Sequence, residues 1–300
     1  LFFSSDPKTN FSSPRDADKH TARKQQEDKQ MNQPNGPLNP SRVALVTGGT
    51  RGIGLAITAA LARSGMHVLA IYRSNKVQAE SSVRELNGQG LSVEAYQADV
   101  GIQEQARQAA AEAIRLWGRI DVLINNAGIF EFCFLEDMTE AFFDEIMRTN
   151  LKSMIFMMQA VTPWMKKNHF GRIINATSIS GSLADVGLVA YACSKAGVNL
   201  LTKVTSGELA PCGITVNAYA PGIIHTDMTD AMIRERGEIQ VRQIPAGSFG
   251  KPDDVAALIR FLCSDEAGYI TGEIIGVDGG MMKVQNPYRA YEYQAQKQEP

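Results

Sequence analysis

An α/β architecture, one doubly wound parallel sheet with helices on both faces, is what three features of this 300-residue chain predict. Short apolar runs alternate with longer stretches of helical periodicity from Ser41 onward. A glycine-rich turn, Thr47-Gly48-Gly49-Thr50-Arg51-Gly52-Ile53-Gly54, lies directly between the first apolar run and the first helical stretch. No segment repeats, and no second block of core-forming sequence follows, so a single folded domain spans 41–284.

Taken in order, Arg42 to Val46 reads as a strand and the segment through Ala62 as its helix. Val68 to Tyr72 is the next strand, with a helix through about Leu86, and Val93 to Gln97 a third, followed by a helix from Gln103 to Trp117. Val122 to Asn125 is a fourth strand, with helical stretches up to Asn168. Arg172 to Asn175, a helix from Tyr191 to about Ala210, and Thr215 to Tyr219 continue the alternation. A helix from Pro252 to Cys263 and a strand from Ile274 to Val277 close it.

The two ends differ. Residues 1–40 are rich in Asp, Lys, Gln, Asn, Ser and Pro without a core-forming period, and such a segment is expected to be disordered. With Met31 standing just before the globular part, residues 1–30 are expected to include an appended or upstream-translated extension. Residues 285–300 are polar again and read as a tail.

Composition removes several function classes. A net charge of −2 gives no general attraction to nucleic acid or anionic lipid. The longest apolar run, Met154 to Met158, falls far short of the ~20 residues that span a bilayer. The four cysteines (Cys133, Cys193, Cys212, Cys263) are scattered, without CxxC or histidines at ligand spacing, which argues against a disulfide framework or zinc site and for a cytoplasmic setting.

Two stretches carry chemistry. Tyr191 and Lys195, four apart at the start of a helix, share one face, and an ammonium there lowers the pKa of a phenol that is ordinarily ~10. Ser178, at the tip of the preceding strand, could hold a carbonyl oxygen beside the same phenol. Together these residues suit reversible reduction of a ketone to an alcohol. The glycine turn suits a dinucleotide: glycines let the backbone approach a pyrophosphate, and the helix N-terminus supplies N–H donors. At the end of the second strand an acidic residue would favour NAD(H); the chain has Tyr72-Arg73-Ser74, and Arg51 in the turn, so NADP(H) is favoured.

Thr47-Gly48-x3-Gly52-x-Gly54, Asn125-Asn126-Ala127-Gly128, Ser178, Tyr191-x3-Lys195 and Pro221-Gly222 occur in the order and at roughly the spacing of short-chain dehydrogenases/reductases. The chain resembles that family from Arg42 to about Val284. It looks most like the 3-oxoacyl-acyl-carrier-protein reductase type, including Tyr269-Ile270-Thr271-Gly272-Glu273 and Val277-Asp278-Gly279-Gly280-Met281. The resemblance implies a Rossmann-type domain in which Tyr191 donates the proton, Ser178 orients the carbonyl and Lys195 binds the nicotinamide ribose and lowers the Tyr191 pKa. It implies that Asn150 holds a water in the proton relay. Ser180 competes for the serine role, but Ser178 stands thirteen residues before Tyr191, as the family pattern requires. Gly48, Arg51, Gly52, Ile53 and Gly54 correspond to the pyrophosphate turn, and Asp99-Val100 to the pair beside the adenine. Asn126-Ala127-Gly128 matches the passage along the cofactor, and Pro221, Gly222, Ile223 and Thr226 the segment near the nicotinamide. Asp99 also suits a helix N-cap, and the two roles are compatible. Asp227 to about Gly247 corresponds to a lid over the substrate, and a homotetramer is the family's usual assembly.

The chain also departs from that type. His169 and Cys212 stand where basic residues are usual, although Lys166 and Lys167 could compensate for the first. Ile129-Phe130-Glu131-Phe132-Cys133-Phe134 is acidic and aromatic where the common type reads Thr-Arg-Asp. An acidic residue there disfavours an acidic acyl carrier protein as partner. The leading expectation is an NADPH-dependent reductase of 3-oxoacyl or similar apolar ketones. A dehydrogenase/reductase for a sugar, polyol, steroid or xenobiotic carbonyl, and a non-catalytic dinucleotide-binding scaffold, are the alternatives.

Overall fold

A computed structural model describes residues 42–298; the expected disorder of 1–40 concerns residues outside that range. Seven parallel strands form one sheet in the order β3-β2-β1-β4-β5-β6-β7. They are β1 (Val43–Thr47), β2 (His67–Tyr72), β3 (Val93–Gln97), β4 (Val122–Asn125), β5 (Gly171–Ala176), β6 (Ile214–Pro221) and β7 (Ile274–Val277). Every one was expected, with ends moved by at most two residues.

The helices between them are α1 (Gly52–Arg63), α2 (Lys76–Gly88), α3 (Gln103–Trp117), α4 (Glu140–Met147), α5 (Ser153–Asn168), α6 (Val189–Leu209), α7 (Asp230–Val241), α8 (Pro252–Leu262) and α9 (Tyr288–Gln298). Strand β1 is buried throughout and divides the core by alternation: Ala44 and Val46 face one layer, Val43 and Leu45 the other. The first layer packs Ile57 and Leu61 of α1 against Val255, Ile259 and Leu262 of α8. In the second, the alanines of α3 (Ala106, Ala109, Ala110, Ala113) meet Met157, Met158 and Val161 of α5. A sheet buried on both faces is the reason its strands read as continuous apolar runs.

Sheet order positions the site. The chain runs outward from β1 to β3, then returns to place β4 on the other side of β1. Connections leaving β1 and β4 therefore diverge to opposite faces and open a crevice at the strands' carboxyl ends, where ligands of such sheets bind.

Two helices were not legible. α7 lies in the stretch expected to be a lid and has no buried residue, so no apolar stripe marks it. α9 forms inside the stretch read as a polar tail, where the Tyr291 hydroxyl donates to the Pro245 carbonyl at 2.8 Å. Between α4 and α5 the backbone takes a π-helical turn over Arg148–Lys152, which was read only as helix.

Candidate active site

The crevice deepens into a cavity whose floor is the glycine turn. Gly52 adopts φ +52°, a left-handed conformation that L side chains rarely adopt. At Gly54 the constraint is space: a Cβ would run into the Gly48 carbonyl oxygen and lie 2.6 Å from Asn126 Nδ2. Asn126 pins the turn to β4, its Nδ2 donating to the Thr47 and Gly48 carbonyls at 2.9 and 3.3 Å. Thr47 Oγ1 accepts from the backbone N–H groups of Asn126 and Ala127 at 2.9 and 3.0 Å. Asn126 Oδ1 in turn accepts from the buried Tyr219 hydroxyl at 2.9 Å, a phenol that burial holds well above its ordinary pKa. Tyr219, an aromatic within a strand, was not anticipated, and Thr47 was read only as the opening of the glycine turn; the fold turns both onto Asn126.

Of the expected cofactor residues, Gly48, Arg51, Gly52, Ile53, Gly54, Tyr72, Arg73, Ser74, Asp99, Val100, Asn126, Ala127, Gly128, Tyr191, Lys195, Pro221 and Thr226 line this cavity. Gly222 and Ile223 do not. Gly222 packs on Asp278, whose Cα would lie 2.8 Å from an added Cβ, and Ile223 gives its carbonyl to Gly250 N–H at 3.0 Å. The cavity also takes in Ile129, Phe130 and Met228, apolar residues beside Tyr191 and in the expected lid.

At the adenosine end the charged side chains engage one another. Arg73 Nη1 donates to Glu145 Oε1 of α4 at 3.1 Å. Arg148 forms a two-bond fork to Glu145 at 2.8 and 3.0 Å and bonds both oxygens of Asp99 at 3.0 Å. Asp99 does not cap α3 as expected: Ile102 takes the N-cap position, and Asp99 Oδ1 accepts from Gly101 N–H at 2.9 Å in the turn before it.

Ser178, Tyr191 and Lys195 come together at the other end, at the tip of β5 and the start of α6. Ser178 is nearly buried, hydrogen-bonds Tyr191, and accepts from Ser180 N–H at 3.1 Å. Ser180 thus supports Ser178 through its backbone. Phe130 packs edge-on to the Tyr191 ring, centroids 5.0 Å apart. Lys195 Nζ donates to the Ala176 carbonyl at 2.9 Å and lies 5.6 Å from the Tyr191 ring centroid.

Burial dominates the electrostatics here. It raises the Tyr191 pKa, and the Ser178 hydrogen bond opposes it. The lowering expected from Lys195 does not outweigh burial. Burial brings Lys195 itself down to about 8, because the ammonium has left water with one carbonyl as hydrogen-bond partner.

Asn150 is fully buried in the π turn, outside the cavity lining. Its amide pairs both ways with Ile129, accepting from N–H at 2.8 Å and donating to C=O at 2.9 Å, and also donates to Ser194 Oγ at 3.2 Å. Ser194 Oγ donates to the Tyr191 carbonyl at 2.7 Å, so Asn150 ties the loop after β4 to the helix carrying the phenol.

Among the described residues no group of three or more His, Cys, Asp or Glu side chains could hold a metal ion, and no helix is long and apolar enough to cross a membrane.

Comparison with known proteins adds to this geometry. The family model described as enoyl-(acyl carrier protein) reductase matches residues 48–282. The 3-oxoacyl-(acyl-carrier-protein) reductase FabG of Staphylococcus epidermidis is 43% identical over 241 residues, covering 80% of this chain and 99% of the relative. That of Thermotoga maritima is 41% identical over 241 residues, covering 80% and 98%. A dehydrogenase/reductase structure from Sinorhizobium meliloti 1021 superposes with TM-score 0.75 at 35% identity, covering 80% of this chain and 94% of that one.

Proposed function

This chain belongs to the short-chain dehydrogenase/reductase family of oxidoreductases, and on that premise we propose that it is an NADPH-dependent reductase of 3-oxoacyl-type ketones with Tyr191 as proton donor. The observation that carries the reading is that Tyr191 and Lys195, on one helix face, line the same cavity as the glycine turn, with Ser178 next to the Tyr191 hydroxyl.

The turn fits a dinucleotide. Gly52 supplies the left-handed backbone and Gly54 the close approach to Gly48 that shape the turn where a pyrophosphate would bind, and α1 points its N-terminus at the same place. Arg51 and Arg73 supply the cations for a ribose phosphate. A bound nicotinamide cofactor supplies the hydride. The protein's part is to hold a ketone oxygen between the Ser178 and Tyr191 hydroxyls and to deliver the phenolic proton as negative charge develops there. A phenol of ordinary pKa ~10 is protonated at neutral pH and burial raises Tyr191 further, so the donor is loaded before reaction. Lys195 then offsets the cost of leaving a phenolate in a buried site. Asn150, by bracing Ile129 and Ser194, holds the relay's surroundings in place.

Phe130, Ile129 and Met228 along the cavity favour an apolar acyl substituent over a polyol. The relatives named as 3-oxoacyl-(acyl-carrier-protein) reductases support the oxoacyl class, while the acidic Glu131 weighs against the carrier itself as the preferred form. We extend the proposal to a homotetramer, which light scattering tests directly.

The experiment is a panel of acetoacetyl thioesters, simple ketones and polyols assayed with both cofactors, in wild-type protein and Tyr191→Phe. Turnover concentrated on the thioesters with NADPH, and lost by about 10²–10⁴-fold in the variant at unchanged NADPH affinity, supports the reading. Wild-type protein that binds NADPH but turns over nothing in the panel would make it a scaffold.

A further inference from the structure

The guanidinium expected to receive a ribose phosphate already has an anionic partner. Arg73 lines the cavity, yet its Nη1 bonds Glu145, a residue of α4 that does not line it. Its other donors make no bond among the described residues.

Glu145 is not a loose surface carboxylate that drifted onto a nearby cation. Both of its oxygens are gripped by Arg148, and Oε1 also accepts from Thr149 Oγ1 at 3.2 Å. Arg148 is anchored in turn on Asp99, which lines the cavity beside Arg73. This relay, Asp99–Arg148–Glu145–Arg73, sets a fixed carboxylate where Arg73 can reach it. A carboxylate and a phosphate offer a guanidinium the same kind of acceptor oxygens, so the two compete for one donor group. Two anions drawn to one guanidinium also repel each other.

We infer that Glu145 is a specificity-determining residue that holds Arg73 in competition with the 2′-phosphate and so restrains the preference for NADP(H) over NAD(H). The inference rests on the cofactor reading above. It concerns a residue outside the cavity acting through Arg73 and not one that touches the cofactor.

Glu145→Gln keeps the shape of the side chain and removes its charge. Dissociation constants for NADPH and NADH, measured by fluorescence titration in wild-type and Arg73→Ala backgrounds, form a double-mutant cycle. Both Arg73 and Glu145 are about half exposed, so the effect is that of a screened pair. NADPH should bind about two- to five-fold tighter in Glu145→Gln. NADH, titrated on the same sample as a check on folding, should be unchanged, and the gain should shrink when Arg73 is absent. Unchanged or weaker NADPH binding overturns the inference, as does an equal gain without Arg73, which would mean that Glu145 acts by charge alone. Failure of the cofactor reading looks different: wild-type protein would then bind NADPH no better than NADH. If Arg73→Ala weakens NADPH while Glu145→Gln changes nothing, the cofactor reading stands and this inference alone is lost.

Discussion

Replacing Lys195 with methionine should change how stability depends on pH, with a size that follows from its burial. The side chain is fully enclosed, with its ammonium donating to the Ala176 carbonyl at 2.9 Å. A fall from the ordinary 10.5 to about 8 corresponds to about 3 kcal/mol disfavouring the charged form in the folded state. The sign follows from proton counts. Below pH 8 the lysine is protonated folded and unfolded, and the cost is fully present. Between pH 8 and 10.5 the unfolded chain binds the extra proton, so wild-type stability gains from this group as pH rises. Tyr191, raised by burial, works the other way only as unfolded phenols ionise near pH 10, so pH 8 to 10 is the useful window.

Lys195→Met removes the charge cost but leaves the Ala176 carbonyl without its donor, a loss of about 1–3 kcal/mol. At pH 7 the variant should therefore equal wild type or exceed it by up to ~2 kcal/mol, and at pH 10, where just under ~1 kcal/mol of the charge cost remains, it should equal wild type or fall below it by up to ~2 kcal/mol. Urea denaturation of both proteins at intervals from pH 7 to 10 measures the difference directly, and contributions from groups not coupled to the lysine cancel in it. Parallel stability profiles across that range would refute the reasoning, because they would mean that Lys195 titrates as an exposed lysine does.

Two further outcomes follow from packing. Gly54→Ala should lose about 1–3 kcal/mol of stability and weaken cofactor binding, since the neighbours of an added Cβ are the Gly48 backbone and the pinned Asn126. Gly207→Ala in α6, with nothing within 4 Å of the new methyl, should be neutral or stabilise by up to ~1 kcal/mol, and equal thermal shifts in the two variants would count against the spatial argument. Asp121, fully buried, accepts from Val43 N–H at 2.8 Å and from Arg119 at 2.7 and 2.8 Å. Asp121→Ala should cost about 1–3 kcal/mol by denaturant titration, because it strands the Val43 N–H while Arg119, 35% exposed, stays solvated, and a loss under ~0.5 kcal/mol would show that Asp121 contributes little to holding β1 against β4.

The strand–helix alternation, the turn at Gly48 to Gly54 and the Ser178, Tyr191 and Lys195 set were all legible before any fold was drawn. Each of these is local: a buried parallel strand writes itself as an unbroken apolar run, a tight turn demands glycines, and two side chains four apart on a helix must share a face. What spans elements was not readable. Nothing in Tyr72-Arg73-Ser74 shows that Arg73 would find Glu145, which is 72 residues away, or that Arg148 would bridge Glu145 to Asp99. Asn150 could be picked out by resemblance, but its hold on Ile129 and Ser194 depends on the π turn that turns its amide inward. α7 and α9 escaped for a related reason: helices with little or nothing buried carry no periodic apolar stripe. The pKa values were decided last of all. From spacing alone Lys195 should lower Tyr191, but the fold encloses Lys195 and half-buries Tyr191 against the cavity, and desolvation then outweighs their proximity.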